Sequence, residues 1–391
     1  MCSNFRAMYT GRFVFAQVID LLPRRIFHRI VKEHDGDKWV KHFTCWHQMS
    51  CMIFGQLSGR ESLSDLVVCM DAHSDKTYHL GMGNGPKKSN LAKVNEGRDY
   101  RIFKAFADHL MGLVNDAESR EMRVYAFDSS TIDLCLSVFW WADFRKTKAG
   151  IKAHVLYDVN LQIPTCVFIT NARTHDVRAM DFLVYEVGAY YIFDRAYVDF
   201  RRLFKLHNAF AYFVTRAKKN MKFKVITSAK VDLAIGIRED QVIRTTGTKS
   251  ATAYAIPMRR VVFYDEEKDK LLVFLTNNMK LSAHEVAQLY KKRWGVELFF
   301  KWIKQHLKVK KFWGQSENAV RVQIYSAVIT YCLVHMLKEK EKQKIPKTTY
   351  EILQILSVSL FDKTPVNELL TKCKQSSKEE ENCKQLEINY I

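Results

Sequence analysis

Apolar residues recur at helical spacing over Val14–Ile19, Arg24–Val31 and Trp46–Phe54, with Gly36, Gly55 and Gly59 as breaks. Residues 1–85 therefore read as a small helical domain. The turn-rich Gly81–Pro86 stretch precedes a further helix over Lys87–Asn95, for which Ser89 is the expected N-cap. Tyr100–Val114 is a helix that bridges to the core. From Arg123 the spacing changes. Arg123–Asp128, Ile151–Asp158 and Ile163–Ile169 read as strands, Asp176–Val187 as a helix, Ala189–Asp194 as a short apolar strand, Val198–Leu206 as a helix and Ala209–Thr215 as a fifth strand.

Three strands, then helix, strand, helix, strand is the order of an RNase H-like α/β fold, a mixed sheet with helices on its faces. Residues 217–280 interrupt it. Phe223–Thr227, Gln241–Thr245, Arg260–Tyr264 and Leu271–Leu275 are strand-like and separated by charged turns, so they read as a β-rich insertion. Ser282-Ala-His-Glu285 is a capping box and starts a long helix. Glu317–Lys338, Thr348–Leu360 and Val366–Leu370 read as helices, and the polar stretch from Thr371 onward reads as disordered. The expected organisation is a helical N-terminal region (1–115), a core (116–330) and a helical C-terminal region (331–391).

The stretch Tyr290–Lys304 places chemistry on one face of that long helix. At about 100° per residue, Tyr290, Arg293, Glu297 and Lys304 fall within an arc of roughly 60°. Val296, Phe299, Phe300, Ile303 and Leu307 form an apolar stripe beside it. One carboxylate thus stands among cations, an arrangement that suits phosphate chemistry, with the acid for a metal and the cations for a polyanion. An ordinary amphipathic helix with paired charges is the plainer reading. Lys301 and Lys308 lengthen the cationic face.

Charge narrows the partners. The 391 residues carry 61 Lys+Arg against 42 Asp+Glu, a net +19, which favours nucleic acid or an anionic surface. The apolar run Ser326–Leu337 contains His335 and is too short to span a bilayer, so no membrane partner is expected. The nine cysteines are scattered with no C-x2-C pair, as in a cytoplasmic chain with reduced thiols and no zinc site. Lys87, Lys88, Ser89 and Asn90 give the Lys87–Asn95 helix a basic, polar first turn, suited to a DNA groove or simply to solvent.

Asp128 and Asp194 each end an apolar strand, where ligands bind in open α/β sheets. Glu297 lies on a later helix able to pack beside that edge. Three carboxylates converging on one edge can hold two divalent metals about 3.5–4 Å apart for phosphoryl transfer. Oxygen-only ligands favour Mg2+ or Mn2+. Taken singly, Asp128 could be a turn or cap and Asp194 could pair with Arg195. His175 and the Lys146, Lys148 and Lys152 series are weaker DNA candidates, with a hydrogen-bonded loop and a solvated face as alternatives.

Phe127-Asp-Ser-Ser-Thr131, Phe193-Asp-Arg-Ala-Tyr-Val-Asp-Phe200 and the Y-x2-R-x3-E-x6-K spacing of Tyr290–Lys304 resemble the three acid motifs of IS4-family insertion-sequence transposases, of the DDE class. The resemblance implies that Asp128, Asp194 and Glu297 are the catalytic, metal-binding triad. It makes Tyr290, Arg293 and Lys304 phosphate contacts, with Lys301 a weaker one. It implies double-stranded DNA partners, namely terminal inverted repeats and target DNA, and a homodimer when two ends are synapsed. It also implies a bacterial enzyme associated with the nucleoid. Some relatives stack a tryptophan of the insertion on a flipped base. Residues 217–280 contain no Trp, and Tyr254, Phe263, Tyr264 and Phe274 are the available aromatics. Two alternatives stay open: a nuclease without strand transfer, and a transposase-derived DNA-binding protein with a dead site.

Overall fold

The computed structural model describes residues 11–83, 85–116, 122–135, 137–145, 148–306, 312–340 and 347–371. Leu307, Lys308, Lys146 and the tail from residue 372 lie outside the described residues. Ten strands form one mixed sheet: β1 (Val124–Leu134), β2 (Asp143–Arg145), β3 (Lys148–Asp158), β4 (Ile163–Asn171), β5 (Tyr190–Phe193), β6 (Tyr212–Arg216), β7 (Phe223–Ser228), β8 (Ile237–Thr245), β9 (Met258–Asp265) and β10 (Lys270–Thr276). β4, β3 and β1 pair antiparallel in that order, and β1, β5 and β6 continue in parallel. β2 adds a short pairing at the start of β3.

The strands read as an insertion extend this same sheet. β10 pairs antiparallel with β6, and β9, β8 and β7 lie beyond it in turn. Tyr254, Phe263 and Phe274 are buried in the cores against these strands, and the Tyr264 hydroxyl donates to Asp269.

β5 is buried along its whole length because both faces are covered. Tyr191 and Phe193 pack on the Phe200–Asn208 side with Leu203 and Leu206. Tyr190 and Ile192 pack on the other side with Val286, Ala287 and Tyr290. A third cluster joins both ends of the chain. Its centre is the 24-residue helix Glu317–Lys340, which packs against the Cys45–Leu57, Lys88–Gly97, Tyr100–Asp116 and Thr349–Ser359 helices. This helix is long and apolar enough to cross a bilayer by length and composition, but 89% of its apolar window is buried in the protein.

Four local expectations need correction. Only Asp176–Ala179 of the Asp176–Val187 stretch is α-helical, followed by a 3-10 turn at Met180–Phe182. Tyrosine hydroxyls take up backbone groups there: Tyr185 donates to the Met180 carbonyl, and the Glu186 amide donates to Tyr191. Ser89 is not an N-cap. The helix runs Lys88–Gly97, with Lys87 at the cap position and no side-chain cap bond. Burial of Leu91 and Asn95 sets its register and leaves Ser89 exposed in the first turn. Asp128 does not end its strand, because β1 runs on to Leu134.

The long helix is two helices, Ala283–Lys291 and Trp294–His306. The capping box at Ser282 and Glu285 forms as read. Between the helices the amides of Arg293, Gly295 and Val296 donate to the carbonyls of Tyr290, Lys292 and Arg293, a tightened i→i+3 turn. The second helix lies close to β3 here. A Cβ on Gly295 would stand 3.4 Å from the Tyr157 ring.

Candidate active site

The pairing of β1 with β5 builds the site. The parallel register ends at Phe127↔Phe193. Asp128 and Asp194 are the next residues on the two strands, so neighbouring strand spacing of about 5 Å brings their backbones side by side. Past this point β1 pairs only with β3, and one edge opens. Alternation along the strands puts Asp128 on the face of Ala126 and Val124, and Asp194 on the face of Ile192. That face is covered by the two helices of the Tyr290–Lys304 stretch.

The four residues of that stretch run from the end of β5 along β1 in order. The Tyr290 hydroxyl lies 3.5 Å from an Asp194 carboxylate oxygen. Arg293 Nη1 donates to Asp128 Oδ2 at 3.3 Å, and Nη2 donates to Glu297 Oε1. Lys304 Nζ donates to the Thr131 carbonyl at 2.9 Å. Lys301 is exposed on the same helix. The tightened turn stands between Tyr290 on one helix and Glu297, Lys301 and Lys304 on the next.

Electrostatics make the centre costly. Burial pushes the Asp128 carboxyl up to about 6; the Ser129 amide and Arg293 pull it down, and Glu297 and Asp194 push it up. Arg293 loses solvation on burial, but Tyr290, Glu297 and Asp128 outweigh that and hold it more firmly protonated. Burial raises the Tyr290 phenol to about 12, so it stays a neutral donor. Arg293 is therefore the cation that allows two acids to be charged in a half-buried place.

The residues suit a hard divalent cation in kind, since all three acids offer oxygen. Among the described residues no three acidic, histidine or cysteine side chains are yet gathered tightly enough to hold one. Arg293 instead bridges Asp128 and Glu297.

The other face of β1 carries a network missing from the sequence reading. Ser129 Oγ donates to Asp176 Oδ1 at 2.7 Å, and Lys152 Nζ reaches Asp176 at 3.0 Å and the Thr174 carbonyl at 2.9 Å. Lys152 is thus committed to Asp176 rather than to a phosphate track. His175, the DNA candidate on this loop, is exposed. Its neighbour Asp176 turns inward instead. Tyr197, from the second acid motif, packs edge-on to Phe127 at 5.3 Å. The Lys87–Asn90 turn is exposed, and its helix packs on the Leu63–Asp71 and Glu317–Lys340 helices rather than on the acidic edge.

Comparison with known proteins gives the lineage. Residues 119–333 match the family described as the transposase DDE domain, and residues 10–83 match a family described as a domain of unknown function. The transposase y4zB of Sinorhizobium fredii is 34% identical over 267 residues, 67% of this chain and 74% of that protein. The transposase for insertion sequence element IS5377 of Geobacillus stearothermophilus is 27% identical, over 70% of this chain and 74% of its own length. That for IS4SA of a Synechocystis strain is 25% identical, over 67% and 76%. A piggyBac transposase synaptic complex with hairpin DNA overlays on 97% of this chain and 86% of its own, with a TM-score of 0.47 and 10% identity, too low a score to fix a common fold. The family match covers more than half of the chain and spans all three acids, and the chain belongs to the DDE transposases of insertion sequences.

Proposed function

We propose that Asp128, Asp194 and Glu297 are the metal-binding triad of this transposase, within an RNase H-like core of residues 116–330 that carries 217–280 as its β-rich insertion. Residues 1–115 are the DNA-binding region and 331–391 a C-terminal helical region. The observation that carries the reading is the register of β1 and β5, which places Asp128 and Asp194 together under Arg293 and Glu297. The order β4-β3-β1-β5-β6 supports the core assignment.

The family works with divalent metal, and the ions here are Mg2+ or Mn2+, as a pair. When bound, they supply an activated water and stabilise the leaving oxygen of an in-line displacement. The chain's own residues do the rest. The three carboxylates fix the reacting edge. Tyr290 holds Asp194 by its hydroxyl. Arg293 leaves the acids for a phosphate of the transposon end, and Lys304, with Lys301 more weakly, holds further phosphates. Lys87, Lys88, Ser89 and Asn90 contribute to end binding from the N-terminal region.

Water cuts the 3′ end of the transposon strand, and the freed 3′-OH then attacks the opposite strand or target DNA. No covalent protein–DNA intermediate forms. Catalysis is mostly positioning and electrostatic stabilisation. The DNA is the element's terminal inverted repeats and the target, in a cut-and-paste route, with two copies of the chain on a synapsed pair of ends. The test is Mg2+-dependent cleavage and joining of a labelled transposon end. Wild type should cut and join, and Asp194→Ala should do neither. Cleavage by Asp194→Ala at the wild-type rate would remove the triad assignment, and cutting without joining would favour a nuclease.

A further inference from the structure

The domain matched at residues 10–83 has no assigned role. One part of it combines three features. The first is Trp39, which is 91% exposed. The second is its backbone, at φ 61°, in the left-handed region that a bulky L-residue occupies only at a cost. The third is the charge around it. Residues 24–42 carry Arg24, Arg25, Arg29, Lys32, Lys38 and Lys41 against Glu33, Asp35 and Asp37, with three histidines besides.

The fold holds Trp39 outward. The Arg24–Glu33 helix buries Phe27, Ile30 and Val31. Arg25, Arg29 and Lys32 lie opposite, within an arc of roughly 60°, and all are exposed. Arg24 is set apart, with its guanidinium over the Trp46 ring at 4.8 Å. At the helix end the Gly36 amide returns to the Val31 carbonyl, and tight turns come next at Lys38 and Val40. Asp37 pins the loop from beneath by accepting from the Cys45 amide at 2.6 Å. Arg98 stands 3.9 Å from Asp37 and donates to Gln48. The loop is therefore anchored, and the strain at Trp39 is borne by a well-supported structure rather than by a loose tip.

We infer that residues 24–42 are a duplex-DNA grip: Arg25, Arg29 and Lys32 take backbone phosphates, and the Trp39 ring, flanked in the chain by the exposed Lys38 and Lys41, packs on a base or sugar. The inference deepens the DNA-binding role proposed for residues 1–115 and rests on it. An exposed ring among cations is the pairing that DNA uses, phosphate by charge and base by stacking or wedging. An anionic membrane fits less well. The helix has spent its apolar face on the core, leaving one aromatic to enter lipid.

The test uses the full chain and fluorescence anisotropy on a labelled duplex of the element's end. Trp39→Gly relieves the left-handed backbone, so its melting temperature should equal or exceed that of wild type. Its DNA affinity should nonetheless fall by roughly 5- to 100-fold. Trp39→Phe keeps an aromatic face and should recover most of the affinity. Arg25→Ala with Arg29→Ala should lower the slope of log K against log salt by about two. Mn2+-dependent nicking of plasmid DNA by wild type reports on the acidic edge separately. Wild-type affinity in both Trp39→Gly and the double variant would overturn the grip while leaving the active-site reading intact. So would binding of phosphatidylserine vesicles, in place of DNA, through these residues. Loss of nicking in Asp194→Ala tests the active-site reading separately.

Discussion

Arg293 is the residue on which the site balances. Among the described residues it is the cation that pairs with both Asp128 and Glu297, and without it three carboxylates face one another in a place where burial already lifts Asp128 to about 6. Arg293→Ala should therefore melt below wild type in the absence of metal, and saturating Mn2+ should raise its melting temperature more than it raises that of wild type. Scanning fluorimetry with and without Mn2+ reads this directly, and equal metal shifts would contradict it. The same variant should bind the transposon end more weakly. His154 gives a second prediction. It is fully buried between Phe127 and Phe168, with Nε2 beside Thr170 Oγ1 at 2.8 Å, and burial lowers it to about 4. The unfolded chain takes up this proton near pH 6.5 and the folded chain only near 4, so between them the unfolded state binds more protons. Stability contributed by neutral His154 is present above about pH 6.5 and is lost as the pH falls towards 4, on the order of 2–3 kcal/mol. Urea melts of wild type and His154→Phe at about pH 7 and about pH 4.5 should show a shallower loss in the variant.

At the level of elements, the first and last helices among the described residues close the chain on itself. The amides of Val14 and Phe15 donate to the carbonyls of Asp362 and Leu360. Gln17 donates to the Thr364 carbonyl at 3.0 Å and accepts from the Val366 amide at 2.9 Å, nearly without exposure. Gln17→Ala leaves those backbone groups buried and unpaired, so it should cost about 1–3 kcal/mol in denaturant unfolding. No pattern in the sequence pointed to that bond, because it joins residues more than three hundred positions apart. What was legible was periodic: the strands of the β4-β3-β1-β5-β6 run and the capping box at Ser282 came from alternation and local chemistry. What was not legible depended on tertiary pairing. β1 runs past Asp128 because β3 continues beside it. The Tyr290–Lys304 stretch breaks at a tightened turn that helical spacing alone did not show. Asp176 escaped notice because its partners, Ser129 and Lys152, come from other strands.

For the whole molecule, one sheet and one central helix tie the reactive edge to the rest. The Glu317–Lys340 helix contacts helices from both ends of the chain, so the N-terminal region and the core share packing. The net charge of +19 belongs to this scale as well, since it favours association with a polyanion without deciding which surface meets it.

The most direct measurement concerns Glu297, the acid that stands among cations. Wild type and Glu297→Gln should be compared on one labelled transposon end, with binding read by anisotropy and cleavage by gel in Mg2+. The substitution keeps the size of the side chain and a hydrogen-bond acceptor for Arg293 but removes the charge. The account predicts that cleavage is abolished while end binding stays within a few-fold of wild type. Full cleavage by Glu297→Gln would contradict it.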